Sequence, residues 1–273
     1  MSSTDTEPLR VERVDDGALA VVTLTAPTMP PPFFAACERV FTDLAADPAL
    51  RAVVVRGGGK AFSYGLDLAQ AFAAWGPQLS GGGLAASRTA TFQLVKQLQR
   101  SFNAVAACPA PVIAAIHGWC IGGGLDLISA CDIRLCAADA RFSLRETRVA
   151  MVADLGSLQR LPRILSPGHL RELAFTGKDI DAARAEKIGL VNDVLPDRDA
   201  LDAAALALAR DIAAAPPLVV RGVKHVLEVG DGKSVADGLD YVAAWNSAFL
   251  ASEDLGEAVA AFAQKRPPVF KGK

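Results

Sequence analysis

The chain has 273 residues, of which 51% are hydrophobic and 21% are charged, and this composition indicates a globular protein rather than a disordered one. The formal net charge of −2 gives no reason to expect nucleic acid or an anionic membrane surface as a partner. Residues 1–7 lack the basic flank and apolar core of a signal peptide, and no apolar run approaches the ~20 residues of a membrane span. Because the last residues are also not a peroxisomal tripeptide, we expect a cytoplasmic protein without a membrane segment.

Strands alternate with helices in the first half of the chain. The dipeptide Asp16-Gly17 favours a hairpin turn between two strand-like runs. The segments that we predict as strands are 9–14, 18–24, 52–56 and 112–116, and those predicted as helices are 33–46 and 85–107. A rigid proline-rich loop, Pro27–Pro32, precedes the first helix, and a flexible, polar segment is expected at 76–83.

The second half becomes helical towards its end. The predicted strands here are 132–136, a short one around Phe142, and 190–195. The predicted helices are 125–130, 155–165, one after Asp197, one starting at Pro216-Pro217, 234–250 and 253–264. This order predicts an α/β fold, with a core at residues 1–196 and a helical region at residues 197–273.

Cysteine and histidine give no sign of a disulfide framework or a metal site. The five cysteines stand among apolar neighbours without a C-x-x-C pair, so we expect buried, reduced thiols. His117, His169 and His225 show no ligand spacing, so we expect no metal.

Three consecutive glycines, Gly122, Gly123 and Gly124, lie between an apolar run and a short predicted helix. Glycines at a helix start leave the first N–H groups free and let a ligand approach, so this turn could hold an anion. The alternative is a close strand–helix packing turn with no ligand. A dinucleotide site is a poor fit because the G-x-G-x-x-G spacing is absent.

A second exposed loop, Ser63–Asp67, also follows a predicted strand. One N–H donor from each loop could converge on a single oxygen and form an oxyanion hole. The chain has no G-x-S-x-G and no evident Ser–His–Asp set, which disfavours acyl-enzyme chemistry.

Carboxylates supply the remaining candidate chemistry. Asp126 follows the glycine turn, and Glu146 and Asp154 come later in the chain. Glu146 could instead form a surface ion pair with Arg145 or Arg148, and Asp154 could simply cap the helix that follows it. Two further acids lie at element ends, where capping is commoner than catalysis, namely Asp67 and Asp132.

These features together resemble the crotonase (enoyl-CoA hydratase/isomerase) superfamily. The loop at residues 59–68 resembles its first oxyanion loop, and residues 113–136 resemble the second. Glu146 and Asp154, followed by the sequence at 155–162, look most like the Δ3,5-Δ2,4-dienoyl-CoA isomerase branch. The closing residues 261–273 also resemble the tail of that family.

The resemblance implies a crotonase-type ββα superhelix with a C-terminal helical trimerisation region, and it implies roles for particular residues. The N–H groups of Tyr64 and Gly123 would bind the thioester oxygen, and Asp126, Glu146 and Asp154 would be the catalytic acids. Phe262 and Lys265 would reach the CoA of a neighbouring subunit. The positions that would line the substrate path are Tyr64, Gly65, Leu66, Asp67, Leu68, Gly122 and Gly124.

The implied activity is isomerisation of a 3,5-dienoyl-CoA to the 2,4-dienoyl-CoA through an oxyanion-stabilised dienolate. It needs no cofactor, because coenzyme A is part of the acyl-CoA thioester substrate, and the assembly would be a homotrimer or a dimer of trimers. Two alternatives stay open, namely an enoyl-CoA hydratase and a non-catalytic CoA-ester-binding homologue. The sequence departs from the family at the Pro27–Pro32 loop, at Tyr64 in place of a small residue, and at Arg145 in place of proline.

Overall fold

The computed structural model describes residues 7–79 and 83–273. Its main sheet has six strands, of which the first two form an antiparallel hairpin and all the other neighbouring pairs are parallel. In spatial order, these strands are β1 (Leu9–Val14), β2 (Leu19–Leu24), β3 (Ala52–Gly57), β4 (Val112–Ile116), β6 (Ile133–Ala137) and β9 (Asp193–Leu195). A second sheet joins β5 (Trp119–Ile121), β7 (Arg141–Ser143) and β8 (Ile180–Asp181).

Helices cover the sheets and make up most of the chain after residue 197. The first six are α1 (Pro31–Ala45), α2 (Leu68–Leu79), α3 (Ala85–Ala106), α4 (Gly123–Ser129), α5 (Ser157–Arg160) and α6 (Pro167–Thr176). The last five are α7 (Ala182–Lys187), α8 (Arg198–Ala214), α9 (Pro217–Gly230), α10 (Val235–Phe249) and α11 (Glu253–Gln264). Two 3₁₀ turns complete the set, at Glu146–Val149 and Leu161–Arg163.

The central strands of the main sheet, β2, β3 and β4, are buried on both faces, as their apolar sequences require, whereas the edge strands β1 and β9 are partly exposed. Alternate residues of β2 point to opposite sides, so Val22 packs in the larger core while Val21 packs in a smaller one. Helix α8 closes the smaller core with Leu201, Ala205 and Ala209. The division at residues 196 and 197 stays a prediction, and this packing shows that α8 shares a core with the sheet.

Most of the predicted elements are confirmed, and the exceptions have local causes. The hairpin turns through Asp15, Asp16 and Gly17 at positive φ. The sequence does not predict helix α2, because Gly76 and Pro77 are poor helix formers. This helix includes the start of the segment 76–83, which is expected to be flexible. Residues 80–82 of that segment lie outside the described residues.

Four further elements differ from prediction. The expected helix 155–165 is instead a single α turn followed by a 3₁₀ turn, because Pro162 cannot donate the hydrogen bond that would continue the helix. The expected strand 190–195 forms only over Asp193–Leu195. Strands β5 and β8 were not predicted, since they are only three and two residues long.

The five cysteines are buried and unpaired, as predicted. Among the described residues, no single helix is long and apolar enough to cross a membrane, and only the bent pair α8 and α9 meets those criteria jointly. Helices α10 and α11 leave several large apolar side chains exposed on the single chain. These are Phe249, Leu250, Leu255, Val259 and Phe262.

Candidate active site

The two glycine-containing loops lie side by side, as the sequence predicts. Ser63 forms a parallel bridge with Cys120, because the N–H of Ser63 donates to the Trp119 carbonyl and that of Ile121 donates to the Ser63 carbonyl, both at 2.9 Å. The first loop leaves β3 and the second joins β5 to α4, so regular elements fix both ends of this contact.

Glycine is required where these loops touch. Gly65 has a φ of +80°, and a Cβ there would lie 2.7 Å from the Ile121 carbonyl oxygen and 3.0 Å from the Gly123 nitrogen. Gly122 also has a positive φ, of +52°, and begins the turn into α4. The backbones therefore approach more closely than any side chain at Gly65 would permit.

The two predicted oxyanion donors differ in whether their N–H already has a hydrogen-bond acceptor. Gly123 is the first residue of α4, so its N–H has no acceptor within the helix. The N–H of Tyr64, in contrast, donates to the Pro27 carbonyl at 2.6 Å. A thioester oxygen would have to displace that carbonyl to bind both donors.

The N–H of Tyr64 meets the Pro27 carbonyl because of the way the proline-rich loop, Pro27–Pro32, is held. Met29 pairs with Leu66 in a parallel bridge, in which the N–H of Met29 donates to the Gly65 carbonyl at 2.8 Å. This pairing draws Pro27 alongside the first oxyanion loop. The sequence marks the loop as atypical but carries no signal for where its carbonyl points.

Asp126 is a buried carboxylate with a structural partner. Its side chain is only 2% exposed in the first turn of α4, and its Oδ1 accepts the N–H of Ser157 at 2.7 Å. Burial raises the pKa of Asp126 to about 6, although the hydrogen bonds from Ser157 act in the opposite direction. Asp126 thus anchors the start of α5 while presenting a charge near the glycine turn.

Glu146 is half-buried and forms no ion pair with any described residue, which disfavours the surface ion pair. Its Oε2 accepts no hydrogen bond, and its Oε1 lies 3.2 Å from where a Cβ of Gly122 would stand. Burial, followed by the charges of Asp126 and Asp154, raises the pKa of Glu146 to about 7. The flanking Arg145 pairs with Asp179 instead.

Asp154 lies near the other two acids but does not cap α5. That helix starts at Ser157 with Gly156 as its N-cap residue and no capping side chain. Partial burial raises the pKa of Asp154, and its charge in turn raises the pKa values of Asp126 and Glu146. The structure therefore brings the three predicted acids into one electrostatic group.

The two other candidate acids have structural roles. Asp67 accepts the N–H of Gln70 at 3.0 Å at the start of α2, and this hydrogen bond lowers the pKa of Asp67. Asp132 accepts the N–H of Val112 at 2.7 Å and pairs with Lys224 at 2.8 Å. Capping and ion pairing account for both side chains.

Comparison with known proteins agrees with this geometry. The sequence pattern of the family described as "Enoyl-CoA hydratase/isomerase" matches residues 15–273 of this chain. A mitochondrial Delta(3,5)-Delta(2,4)-dienoyl-CoA isomerase of Dictyostelium discoideum is 41% identical over 98% of this chain and 92% of its own. A peroxisomal protein of the same name from Arabidopsis thaliana is 42% identical over 87% and 86% of the two chains. The chain belongs to the enoyl-CoA hydratase/isomerase family.

The fold agrees with solved structures of the family. The crystal structure of an enoyl-CoA hydratase from Bacillus anthracis superposes with a TM-score of 0.86 and 29% identity, over 97% of this chain and all of the other. The predicted crotonase fold is therefore confirmed. The roles assigned to single residues are not tested by these likenesses and stay predictions.

Two cavities flank the acids of this family member. One, of about 390 Å³, is mainly apolar and is lined by Glu146, Leu144, Met151, Leu158 and Phe175 among others. The other, of about 280 Å³, has a mixed polar and apolar lining that includes Asp154, Gln99, Asn103 and Arg160. Glu146 and Asp154 therefore line different cavities. The apolar cavity suits an acyl chain that runs past Glu146, and the mixed cavity lies beside Asp154.

The residues predicted to touch a neighbouring subunit's CoA lie elsewhere. Phe262 is 88% exposed, and Lys265 ends α11 in a left-handed conformation. Neither lines the two cavities beside the acids. Within residues 7–79 and 83–273, no group of three or more His, Cys, Asp or Glu residues could hold a metal ion.

Proposed function

We propose that this chain is an enzyme that isomerises 3,5-dienoyl-CoA to 2,4-dienoyl-CoA. The observation that carries the proposal is the group of three acids, with Asp154 added to the Asp126 and Glu146 pair. Relatives that are named for this activity and are 41% and 42% identical support it. Family membership supports the coarser conclusion that the substrate is an acyl-CoA thioester.

The first step would be proton abstraction at C2 by Glu146. The C2–H bond breaks, and its electron pair delocalises through the conjugated system to the thioester oxygen. A base works best when its pKa lies near the working pH, and the Glu146 pKa of about 7 meets that requirement. The N–H of Gly123 would stabilise the oxyanion, together with that of Tyr64 once the Pro27 carbonyl is displaced.

The second step would be protonation at C6 by Asp154. The electron pair of the dienolate takes the carboxylic-acid proton of Asp154 to form the new C6–H bond, and the remaining double bonds become the 2,4-diene. Glu146 then releases to solvent the proton that it took from C2, and Asp154 regains a proton from solvent. A separate acid is needed at C6, because proton transfer needs hydrogen-bond distance or one bridging water and Glu146 acts at C2. Asp126 would tune Glu146 through its charge. No group beyond the CoA of the substrate is needed for this chemistry.

The test is spectroscopic and compares two substrates. Purified protein is mixed with 3,5-dienoyl-CoA and, separately, with 2-enoyl-CoA, and the absorbance of the conjugated diene and of the enoyl thioester is followed. We expect rapid gain of the 2,4-diene and slow hydration. Rapid hydration without isomerisation would establish the hydratase instead, and inertness towards both substrates would indicate a CoA-ester-binding homologue.

We also propose that the chain assembles as a homotrimer or a dimer of trimers. Phe249, Leu250 and Phe262 are 43%, 57% and 88% exposed on the single chain, and a neighbouring copy would cover this apolar surface. Light scattering at micromolar concentration should give a multiple of three chains. A monomeric mass would contradict this assembly. The cytoplasmic location stays a prediction, because the similar isomerases are named mitochondrial and peroxisomal.

A further inference from the structure

The segment that carries Asp154 is held through its backbone. Residues 151–154 form no helix or strand. Gln99 of α3 donates from Nε2 to the carbonyl of Asp154 at 2.8 Å, and Asp126 of α4 accepts the N–H of Ser157 at 2.7 Å. Since no regular element fixes Asp154, the position of its carboxyl depends on how its neighbours are anchored.

Arg160 supplies a further anchor at the peptide that follows Asp154. Its Nη1 donates to the Leu155 carbonyl at 3.3 Å, and its Nη2 donates to Oδ1 of Asn103 at 2.6 Å. The guanidinium therefore joins this segment to α3. A planar fork with several donors suits two acceptors on different elements, which a lysine could not satisfy in the same geometry.

Gly156 makes room for this contact. Its φ is +126°, and a Cβ there would lie 1.9 Å from Nη1 of Arg160. Any side chain at this position would push the guanidinium away from the backbone of the segment. The glycine and the arginine thus form a single arrangement directly after Asp154.

We propose that Arg160 is a positioning residue of the reaction, which acts through Asp154 by clamping residues 154–157 to α3. The inference rests on the proposed isomerase function, in which Asp154 protonates C6. Misplacement of a reacting group by about 1 Å can cost on the order of 10²-fold in rate. Loss of the clamp should therefore impair the step that Asp154 performs.

A double-mutant cycle tests this coupling. Arg160→Met keeps the length of the side chain and removes every donor, and it is combined with Asp154→Asn. With 3,5-dienoyl-CoA, we expect Arg160→Met alone to lower kcat by about tenfold or more with little change in KM. In the Asp154→Asn background the same change should alter kcat by less than about twofold, because the group that it positions is already disabled.

One further variant is a matched control, and another removes the opposite end of the clamp. Arg100→Met makes the same change at an arginine of α3 that pairs with Glu38 and lines neither cavity beside the acids, and it should leave kcat unchanged. Asn103→Leu removes the other end of the clamp and should reproduce part of the Arg160→Met effect, again only when Asp154 is present. It also carries the test if Arg160→Met fails to fold, as judged by circular dichroism.

The outcomes separate this inference from the proposed function. An equal loss of kcat from Arg160→Met or Asn103→Leu in both backgrounds would indicate general destabilisation and overturn the clamp. Unchanged kcat in the wild-type background would overturn it as well. Failure of the wild-type protein to isomerise 3,5-dienoyl-CoA would instead overturn the proposed function.

Discussion

The pH dependence of the reaction should reveal the coupling between Asp126 and Glu146. A general base must be ionised, so activity should fall as the pH drops through the Glu146 pKa of about 7. The charge of Asp126 is the second cause of that raised pKa, after burial. Asp126→Asn removes the charge, and its Oδ1 can still accept the N–H of Ser157, which now donates at 2.7 Å.

The expected change can be bounded. Burial is the largest cause and persists in Asp126→Asn, so the Glu146 pKa should stay above its ordinary value of 4.5. We expect it to fall by about one pH unit, which corresponds to ~1.4 kcal/mol. At pH 7, where Asp126 is mostly ionised in the wild type, the ionised fraction of Glu146 would then rise from about one half to about nine tenths, a gain of nearly twofold.

The assay is kcat/KM for 3,5-dienoyl-CoA between pH 5 and pH 9, because this parameter reports the free enzyme. Each profile is normalised to its own plateau, so that a general loss of rate in Asp126→Asn does not enter. The acidic limb should move to lower pH. An unmoved limb, or one that moves to higher pH, would refute the electrostatic coupling of the two acids.

Three other substitutions test single roles. Glu146→Gln should abolish turnover yet stabilise the protein by about 1–3 kcal/mol at pH 8, because a raised carboxyl pKa destabilises the folded state at pH values above the pKa of the unfolded chain. This gain in stability should be lost as the pH falls from 7 towards 4.5. Chemical unfolding at several pH values measures the gain, and a gain that does not depend on pH would contradict the prediction. Asp154→Asn should slow isomerisation by about 10²-fold or more while hydration of 2-enoyl-CoA changes little, and equal activity on both substrates would remove Asp154 from the mechanism. Gly123→Val should abolish turnover of CoA thioesters in a protein that stays folded, since the new Cβ would meet the flexible Met29 side chain at 3.1 Å; retained activity would place the oxyanion site elsewhere.

The parts of the site that follow from local chemistry could be predicted from the sequence. Consecutive glycines between an apolar run and a helix indicate a close backbone approach, and the structure confirms the contact between Gly65 and Gly123. The acids were recognisable because their types and order resemble those of a known family. Strand β4 could be predicted because all five of its residues are apolar and buried.

The parts of the site that depend on residues far apart in the chain could not be predicted from the sequence. The Pro27 carbonyl on the N–H of Tyr64 joins loops 37 positions apart, and the hydrogen bond from Ser157 to Asp126 spans 31 positions. Arg160 reaches Asn103 across 57 positions. No periodicity or propensity encodes such pairs, since each depends on how the elements finally pack.

The environments of the three acids separate their roles. Asp126 is fully buried and accepts the N–H of Ser157, whereas Glu146 is half-buried and its Oε2 has no partner; the pKa of Asp126, about 6, is the lower of the two. At neutral pH Asp126 is therefore mostly ionised, whereas Glu146, with a partnerless Oε2 and a pKa of about 7, is poised to exchange a proton. Burial without a partner costs stability, so the folded state keeps Glu146 at a free-energy cost that structural pairing would have avoided. Asp154 is held through its peptide neighbours, and its action on the far end of the acyl chain stays a prediction.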